Sequence, residues 1–382
     1  MYLPTFILLI AIAYFTLPGN VELLNARSSI VEGGVVDSKT SQPLQGAHIF
    51  LSGTKLGTFT NHSGRFALRD IPTGSYRIII TMIGYERKVF RLDIVEGEHR
   101  RLNLRLNPVV YEMDDLIVDH RGKKWRKNLR RFQELFIGQS VNADSVVILN
   151  PEVLRFNSNF WGRLEAEALK PLEIVNKSLG YHITYYLFEF RHVGSTTFWD
   201  GEPLFTEMTP PDPLQKVLWE YNRYKAFHGS MRHFWLALLE DRVEEEGFSI
   251  FRIWPPAFSG DLEKRIRVPA EDLILPGRKE YLKQVQFSGS LEIIYKREPE
   301  DLRYLEYTRE WNRIPRNIQV SWLELNERHI TVDEAGEVVE PYGALQSGYF
   351  GFQRLADLTP REYRPEGFWP QTSSLRPSGR NR

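Results

Sequence analysis

Residues 34–85 constrain the fold more than any other part of the chain. Apolar side chains recur at every second position there, as at Tyr76, Ile78, Ile80 and Met82. A period of two places such residues on one face of a β-strand. Each short run is followed within a few residues by Gly, Pro or Asn. Turn signals at this spacing predict a small all-β sandwich.

One set of residues is predicted to form the turns and the core of this sandwich. Glycine can adopt positive φ at tight turns, proline presets the φ of its turn, and asparagine can close a turn with its side chain. Large aromatic rings fill a thin core. We interpret the set as structural: Gly34, Asp37, Pro43, Gly46, Gly57, Asn61, Gly64, Phe66, Pro72, Gly74, Tyr76, Gly84 and Tyr85.

The order and spacing of these residues resemble the carboxypeptidase-regulatory-like domain, a seven-stranded prealbumin-type β-sandwich. The matching segments are residues 34–37, 43–47, 57–61, 64–66, 71–76 and 83–85. The family usually has Asp where Asn61 stands, and either side chain can close that turn. The resemblance implies residues 31–107 as the domain.

This resemblance implies a cellular location and an accessory role, but no enzymatic reaction. The domain is an accessory unit in many proteins, behind metallocarboxypeptidase domains or ahead of outer-membrane transporters in Bacteroidetes-type envelopes. The rest of the chain looks like the uncharacterised extension that accompanies the sandwich in some envelope proteins. Export and an attached role are therefore expected, and no activity transfers with the fold.

The first 26 residues predict a signal peptide. Residues 6–17 read FILLIAIAYFTL, an apolar run that Pro18 and Gly19 end. The run is too short to cross a bilayer, and Leu24-Asn25-Ala26 is the predicted cleavage site. An uncleaved membrane anchor and a buried strand are the alternatives. We expect an exported protein, periplasmic or associated with the outer membrane.

Charge is balanced over the whole chain but concentrated in one segment. Lys plus Arg and Asp plus Glu both number 49, which argues against a general nucleic-acid binder. Residues 121–131 nevertheless contain seven basic side chains. Trp125, Leu129, Phe132 and Phe136 fall at helical spacing in and after this segment, so we predict a helix that packs on the next domain. Contact of its basic face with an anionic membrane or a nucleic acid is the alternative.

The remainder predicts a larger α+β domain in which strands dominate. A linker is expected at residues 108–124, the α+β domain of unknown function at 125–365, and a polar tail at 366–382. The chain is thus predicted to be multi-domain, with an N-terminal all-β prealbumin-like sandwich followed by the α+β domain. Its β-like segments are residues 146–149, 181–190, 284–295 and 319–325, with a hairpin turn at 333–336.

Two helices are predicted in the middle of the α+β domain. Asp212 caps the first, with Pro213 at its first position. Ser230 caps the second, which is expected to run to Gly247. The apolar face of the first helix consists of Leu214, Val217, Leu218 and Tyr221.

The sequence contains no established catalytic motif. A metallocarboxypeptidase holds zinc with a His and a Glu three residues apart, and none of the nine histidines has such a Glu. Phosphate-binding glycine patterns and a nucleophile elbow are missing, and without Cys there is no thiol nucleophile. No catalytic, cofactor-binding or metal-binding residue is therefore predicted, and no cofactor.

Two residue groups keep other chemistry open. His228 and His233 are five positions apart, a spacing that does not stack metal ligands on one helical face. Asp200 and Glu202 beside Trp199 resemble the carboxylate pair of a glycoside hydrolase next to a sugar-stacking ring. The separation of those carboxyl groups is not readable from the sequence.

The leading functional hypothesis is a non-enzymatic cell-envelope binding or adaptor protein whose sandwich contacts a protein or a glycan. One alternative is an envelope hydrolase with an unrecognised site in the C-terminal domain. Another is a peripheral component of an outer-membrane transport complex. The expected partner is an envelope protein or glycan and not a nucleic acid, with peripheral membrane association left open.

Overall fold

The computed structural model describes residues 29–109, 122–254, 264–277, 279 and 281–365. The predicted signal peptide, most of the predicted linker and the polar tail lie outside these described residues. None of the described helices is long and apolar enough to span a membrane.

The first seven strands form the predicted sandwich. One sheet has the order β4-β1-β7 and the other the order β3-β2-β5-β6. Buried aliphatic side chains from both sheets, such as Val31, Val35, Ile49 and Ile78, fill the space between them. The prediction of an N-terminal all-β sandwich is confirmed. The strands are β1 (Ser29–Asp37), β2 (His48–Leu51), β3 (Gly57–Phe59), β4 (Arg65–Ile71), β5 (Gly74–Thr81), β6 (Lys88–Ile94) and β7 (His99–Leu106).

Several residues of the structural set close turns of the sandwich. Asp37 accepts hydrogen bonds from two backbone N–H groups of the turn that follows it, and from the Tyr85 hydroxyl at 2.9 Å. Asn61 closes its turn in the same way. Gly64 has φ of 68°, and a Cβ there would lie 2.6 Å from the Val35 carbonyl oxygen, so only glycine fits.

Other members of the set lie at strand ends or in the core. The Tyr76 hydroxyl donates to the Pro72 carbonyl at 2.9 Å, which fixes the turn before β5. Phe66 and Tyr76 are buried in the core. Pro43 forms an isolated antiparallel bridge with Val36 of β1. Gly34, Gly57 and Gly74 lie in strands, and Gly46 and Gly84 lie in turns.

A six-stranded sheet with its own core follows. The long central strand β12 pairs with β13 on one side and with β11 and β10 on the other, while β8 and β9 form edges. The basic segment forms helix α1 (Lys123–Phe136), which buries Phe132 and Phe136 against this sheet, as predicted. The strands are β8 (Val146–Ile148), β9 (Leu154–Ser158), β10 (Leu164–Ala168), β11 (Leu172–Asn176), β12 (Tyr181–Val193) and β13 (Thr196–Glu207).

The two middle helices begin where the sequence predicts. Helix α2 (Pro213–Phe227) is capped by the Asp212 carboxylate, and α3 (Met231–Leu239) by the Ser230 hydroxyl. The expected end of the second helix at Gly247 is wrong. The helix ends at Leu239, and Asp241 with φ of 55° turns the chain away before Gly247 is reached.

The apolar face of α2 finds no partner among the described residues. Leu214, Val217 and Tyr221 are 68, 58 and 59% exposed, and Leu218 is also exposed. The helix is held instead by Trp219, which is buried and whose Nε1 donates to the backbone at 2.8 Å. The apolar face of α2 therefore points away from the sheets, whereas an amphipathic pattern normally indicates a buried face.

A third hydrophobic core lies between helix α3 and two further sheets. A five-stranded sheet has the order β15-β14-β18-β19-β21, and a three-stranded sheet has the order β16-β17-β20. The predicted hairpin turn at 333–336 is confirmed by the hydrogen bond from Gly336 N to Asp333 O. The elements are β14 (Phe248–Trp254), β15 (Lys264–Arg267), β16 (Ile274–Pro276), β17 (Leu282–Val285), β18 (Ser290–Tyr295), α4 (Leu302–Thr308), β19 (Gln319–Leu325), β20 (Ile330–Asp333), β21 (Ala344–Gly348) and α5 (Tyr349–Phe352).

The predicted strand at 284–295 is wrong as a single element. β17 ends at Val285 and β18 starts at Ser290, and Gly289 with φ of 78° turns the chain between the two sheets. In all, the part of the chain after the sandwich is strand-dominated α+β, as predicted, with one core around α1 and β12 and another around α3 and β18. We refer to this part as the body. The domain boundaries themselves stay a prediction.

Candidate binding cleft

The sandwich is fixed to the body through the loop after β2. Gly53 N donates to Pro203 O at 2.7 Å, and Phe205 N donates to Thr54 O at 2.9 Å. This loop thus pairs with β13 almost as a short extra strand. The four-stranded sheet consequently faces the body, and the sheet β4-β1-β7 faces away from it.

An ion cluster joins the same two parts beside this loop. Asp200 and Glu202 are two residues apart on β13, so their side chains reach the same face of the strand. Arg77 of β5 donates from Nη1 to Asp200 Oδ1 at 2.9 Å, and its Nε lies 2.5 Å from Glu202 Oε1. Both residues of the predicted carboxylate pair are thereby held by one guanidinium group.

Glu202 is the more deeply buried acid of this cluster. Its side chain is 1% exposed, and burial raises its pKa to about 7, although a hydrogen bond from Ser52 and the charge of Arg77 act in the opposite direction. Its Oε1 lacks a hydrogen bond of standard geometry despite the short contact with Arg77. A carboxyl group in this state can carry a proton near neutral pH.

A second ion cluster closes the other side of the junction. The Arg361 guanidinium pairs with Asp333 and donates from Nη1 to the Ser75 carbonyl at 3.0 Å. Its Cζ lies 4.5 Å from the centroid of the Tyr76 ring. The Arg361 backbone N–H donates to Gly53 O at 2.8 Å. Residues near the end of the described chain thus hold the sandwich against the body.

Arg232 of α3 organises the segment that carries Arg361. Its guanidinium donates to the backbone carbonyls of Ala335 at 3.0 Å and of Pro360 at 3.1 Å. Burial lowers its pKa to about 9, with the neighbouring cation Arg364 acting in the same direction. Because carbonyl oxygens rather than carboxylates receive most of its N–H groups, the role of Arg232 is to fix loops.

A cavity of about 660 Å³ lies between these two clusters. Its walls come from β5 and β6 of the sandwich, from β13, and from the segments around β20 and β21. Phe198, Trp199 and Tyr342 contribute aromatic surface to it, and the Arg354 guanidinium lies 5.2 Å from the Trp199 ring. We call this cavity the junction cleft.

Arg91 of β6 is one of the arginines that line the junction cleft. Its Nη2 donates to the Val339 carbonyl at 2.7 Å. Among the described residues no carboxylate lies within 4.0 Å of its guanidinium, and burial lowers its pKa. An exposed cation that lacks a close acidic partner can bind an anionic group of a ligand.

The histidine pair is near in space but is not arranged for a metal. The rings of His228 and His233 have centroids 5.0 Å apart, and His233 Nδ1 accepts from Gly229 N–H at 3.1 Å. Its Nε2 lies 3.4 Å from Glu246. Burial lowers the pKa of His228 to about 4. No group of three or more His, Cys, Asp or Glu that could hold a metal occurs in the ranges described above.

Sequence reasoning identified the acids of the junction cleft but missed its arginines. Trp199, Asp200 and Glu202 were recognisable as a group within one strand. Arg77 carried a weaker signal in the alternating pattern of β5. Ser75, Arg77 and Ile79 alternate on the face that looks away from the sandwich core, and Ile79 on that face is fully buried. An apolar residue there indicates that a second body covers the sheet.

Comparison with known proteins places the first part of the chain. Residues 31–118 match the family model of the CarboxypepD_reg-like domain. A stretch of 124 residues is 27% identical to TonB-dependent receptor P39 of Formosa agariphila, which covers 32% of this chain and 11% of that receptor. The chain therefore spans about a tenth of the length of this curated relative.

Two solved structures resemble the chain over a small part of its length. A cohesin–X-dockerin complex from Acetivibrio cellulolyticus is 19% identical, with 20% of this chain and 56% of that chain covered and a TM-score of 0.19. Catechol 1,2-dioxygenase from Acinetobacter sp. ADP1 is 10% identical, with 26% and 59% covered and a TM-score of 0.21. Similarity at this level supports no argument about function.

Proposed function

We propose that this chain, which carries a carboxypeptidase-regulatory-like domain at residues 31–118, is an exported envelope protein that binds a glycan in the junction cleft. The similarity to a TonB-dependent receptor supports a place in the envelope. The apolar run at residues 6–17 supports export. In this proposal the sandwich acts together with the body, since it supplies one wall of the cleft.

The observation that carries the proposal is Arg91 in a cleft with aromatic walls. Sugar rings pack their apolar faces on aromatic side chains such as Trp199, while charged and polar groups hold their substituents. Arg91 lacks a close carboxylate among the described residues, whereas Asp200 and Glu202 already share Arg77. We therefore favour a glycan that carries a carboxylate over a neutral one.

Calorimetric titration with hexagalacturonate, with cellohexaose as the neutral comparison, tests this function. We expect the acidic hexasaccharide to bind, and Arg91→Ala to weaken its binding about tenfold or more, because a charge-assisted hydrogen bond is lost. The control is Arg105→Ala, which removes an exposed arginine from the outward sheet and should leave the affinity unchanged.

Two results would contradict the proposal. One is the absence of binding to both hexasaccharides, and the other is equal affinity of the Arg91→Ala variant and the unchanged protein. Binding of an envelope protein that is insensitive to Arg91 would favour the adaptor role through a surface other than the junction cleft.

An envelope hydrolase is the second candidate, and the raised pKa of Glu202 is the observation that favours it. A glycoside hydrolase needs one carboxyl group that is protonated near neutral pH and a second that is ionised. It ranks second because Arg77 contacts both carboxylates and Glu202 is 1% exposed. New reducing ends from hexagalacturonate, abolished in Glu202→Gln, would promote this candidate.

A further inference from the structure

The hairpin between β9 and β10 carries the two most exposed adjacent aromatic side chains of the described chain. Phe160 is 95% exposed and Trp161 is 88% exposed, with their ring centroids 5.8 Å apart. The turn is well defined, since Asn159 accepts from Arg163 N–H at 3.0 Å through its side chain. Exposed aromatic pairs of this kind usually mark a contact surface.

Helix α1 places its basic face next to this hairpin. The helix runs along β9 in the same direction, because Trp125 donates to Leu154 O at 3.1 Å and Asn128 donates to Ser158 Oγ at 3.0 Å. One turn later, Arg131 donates to Gly162 O at the hairpin tip. The basic side chains of α1 thus lie on a surface continuous with the aromatic tip.

The positive charge of this surface is not neutralised within the described chain. Lys123, Lys124, Arg126, Lys127 and Arg130 are exposed. None of them, and not Arg131, forms an ion pair within 4.0 Å with an acidic residue that the structure describes. Only Glu134 adds a negative charge to the helix itself. The surface therefore attracts an anionic partner over a distance of about one Debye length.

We propose that the Phe160–Trp161 tip and the basic face of α1 dock the protein on an anionic phospholipid surface. Aromatic rings favour the boundary between lipid headgroups and acyl chains, and lysine and arginine are attracted to anionic headgroups. Both features occur side by side here, and this combination distinguishes a lipid surface from a purely polyanionic partner. The inference is independent of the junction cleft and its ligand.

Vesicle co-sedimentation tests the inference with vesicles of phosphatidylcholine alone and of phosphatidylcholine with 30% phosphatidylglycerol. All variants keep the full chain, so any contribution of the apolar run at residues 6–17 is common to them. We expect binding to the anionic vesicles at least tenfold tighter than to the neutral ones, with most of the difference lost at high salt. Phe160→Ser with Trp161→Ser should weaken anionic binding about tenfold or more.

The charge contribution is tested separately with Lys124→Gln combined with Lys127→Gln. Each basic residue near an anionic surface contributes about fivefold, so the pair should weaken binding about 30-fold at low salt. The matched control is Leu214→Ser with Leu218→Ser, which removes two exposed apolar side chains from α2 and should leave binding unchanged.

Three outcomes would overturn the proposal. The first is equal binding to neutral and anionic vesicles. The second is an equal loss of binding in the α2 control and in the tip variant. The third is unchanged binding in the tip variant with a loss in the lysine variant, which would show that charge alone holds the protein at the vesicle surface and that the aromatic tip takes no part.

Discussion

At the scale of single residues, Glu202 should make stability depend on pH. Its pKa in the folded protein is about 7, above the ordinary value of 4.5, because burial penalises the charged form. The folded state therefore holds this proton more tightly than the unfolded state, and the contribution of Glu202 to stability falls as the pH rises from about 4.5 to about 7.

Glu202→Gln removes this dependence because an amide does not ionise. We expect the free energy of unfolding of the variant to gain on that of the unchanged protein between pH 5 and pH 8, by on the order of 3 kcal/mol at most. Urea titrations at both pH values measure the difference. A difference that is the same at both values would show that Arg77 fully compensates the buried charge.

Individual residues were predictable where their role is local. Asp37, Asn61 and Gly64 act on backbone groups a few positions away or on the adjacent strand, so their identity and spacing carry the information. Arg77 acts on Asp200 across 123 positions of sequence. No local pattern specifies such a partner, and the sequence therefore revealed the acids of the junction cleft without the arginine that holds them.

At the scale of elements, α2 shows that side chains with helical apolar spacing need not be buried. We expect Trp219→Ala to lower the free energy of unfolding by about 3–5 kcal/mol, since the indole is buried and packs against Gly180. Leu218→Ser should change it by about 0.5 kcal/mol or less, because the side chain is exposed. Chemical denaturation of the two variants checks both values. A large loss for Leu218→Ser would mean that the apolar face of α2 is covered in the folded protein.

The exposure of the apolar face of α2 has a general reason. Helical spacing of Leu214, Val217 and Tyr221 shows that these side chains share one face, but it does not show that any surface lies opposite that face. The start of each middle helix was predictable, since Asp212 and Ser230 bond to backbone groups three residues on. The end of α3 was not, because a left-handed Asp241 lacks the glycine that usually signals a helix end.

At the scale of the whole molecule, Arg77 couples the sandwich to the body. Arg77→Leu leaves Asp200 and the buried Glu202 without their cation, which typically costs about 3–5 kcal/mol. We expect faster hydrogen exchange at the Gly53 and Phe205 amides, which pair the loop after β2 with β13, while the core of the sandwich stays protected. The comparison is Arg101→Leu, which breaks an exposed pair with Glu32 on the outward sheet and should have little effect. Equal exchange in both variants would show that Arg77 does not connect the two parts.

The overall architecture was predictable in its parts and not in their assembly. Closely spaced turn residues specify the sandwich, because each strand of it is bounded by a local signal. The attachment of the sandwich to the body depends on Gly53 meeting Pro203 and on Arg77 meeting Asp200. Those contacts depend on the complementary shapes of two folded surfaces, and local sequence patterns do not specify that complementarity.

The contact of Arg361 with Ser75 bridges 286 positions, and it has a consequence for the order in which the parts fold. The strands of the sandwich lie close together in the sequence, so its inner sheet (β3-β2-β5-β6) can form before Arg361 docks and is then exposed to water. Ser75, Arg77 and Gly53 contribute polar groups to this exposed surface, and a wholly aliphatic surface would aggregate more readily. The polar groups of the junction thus lower the risk of aggregation before the body docks, and they hold the two parts together afterwards.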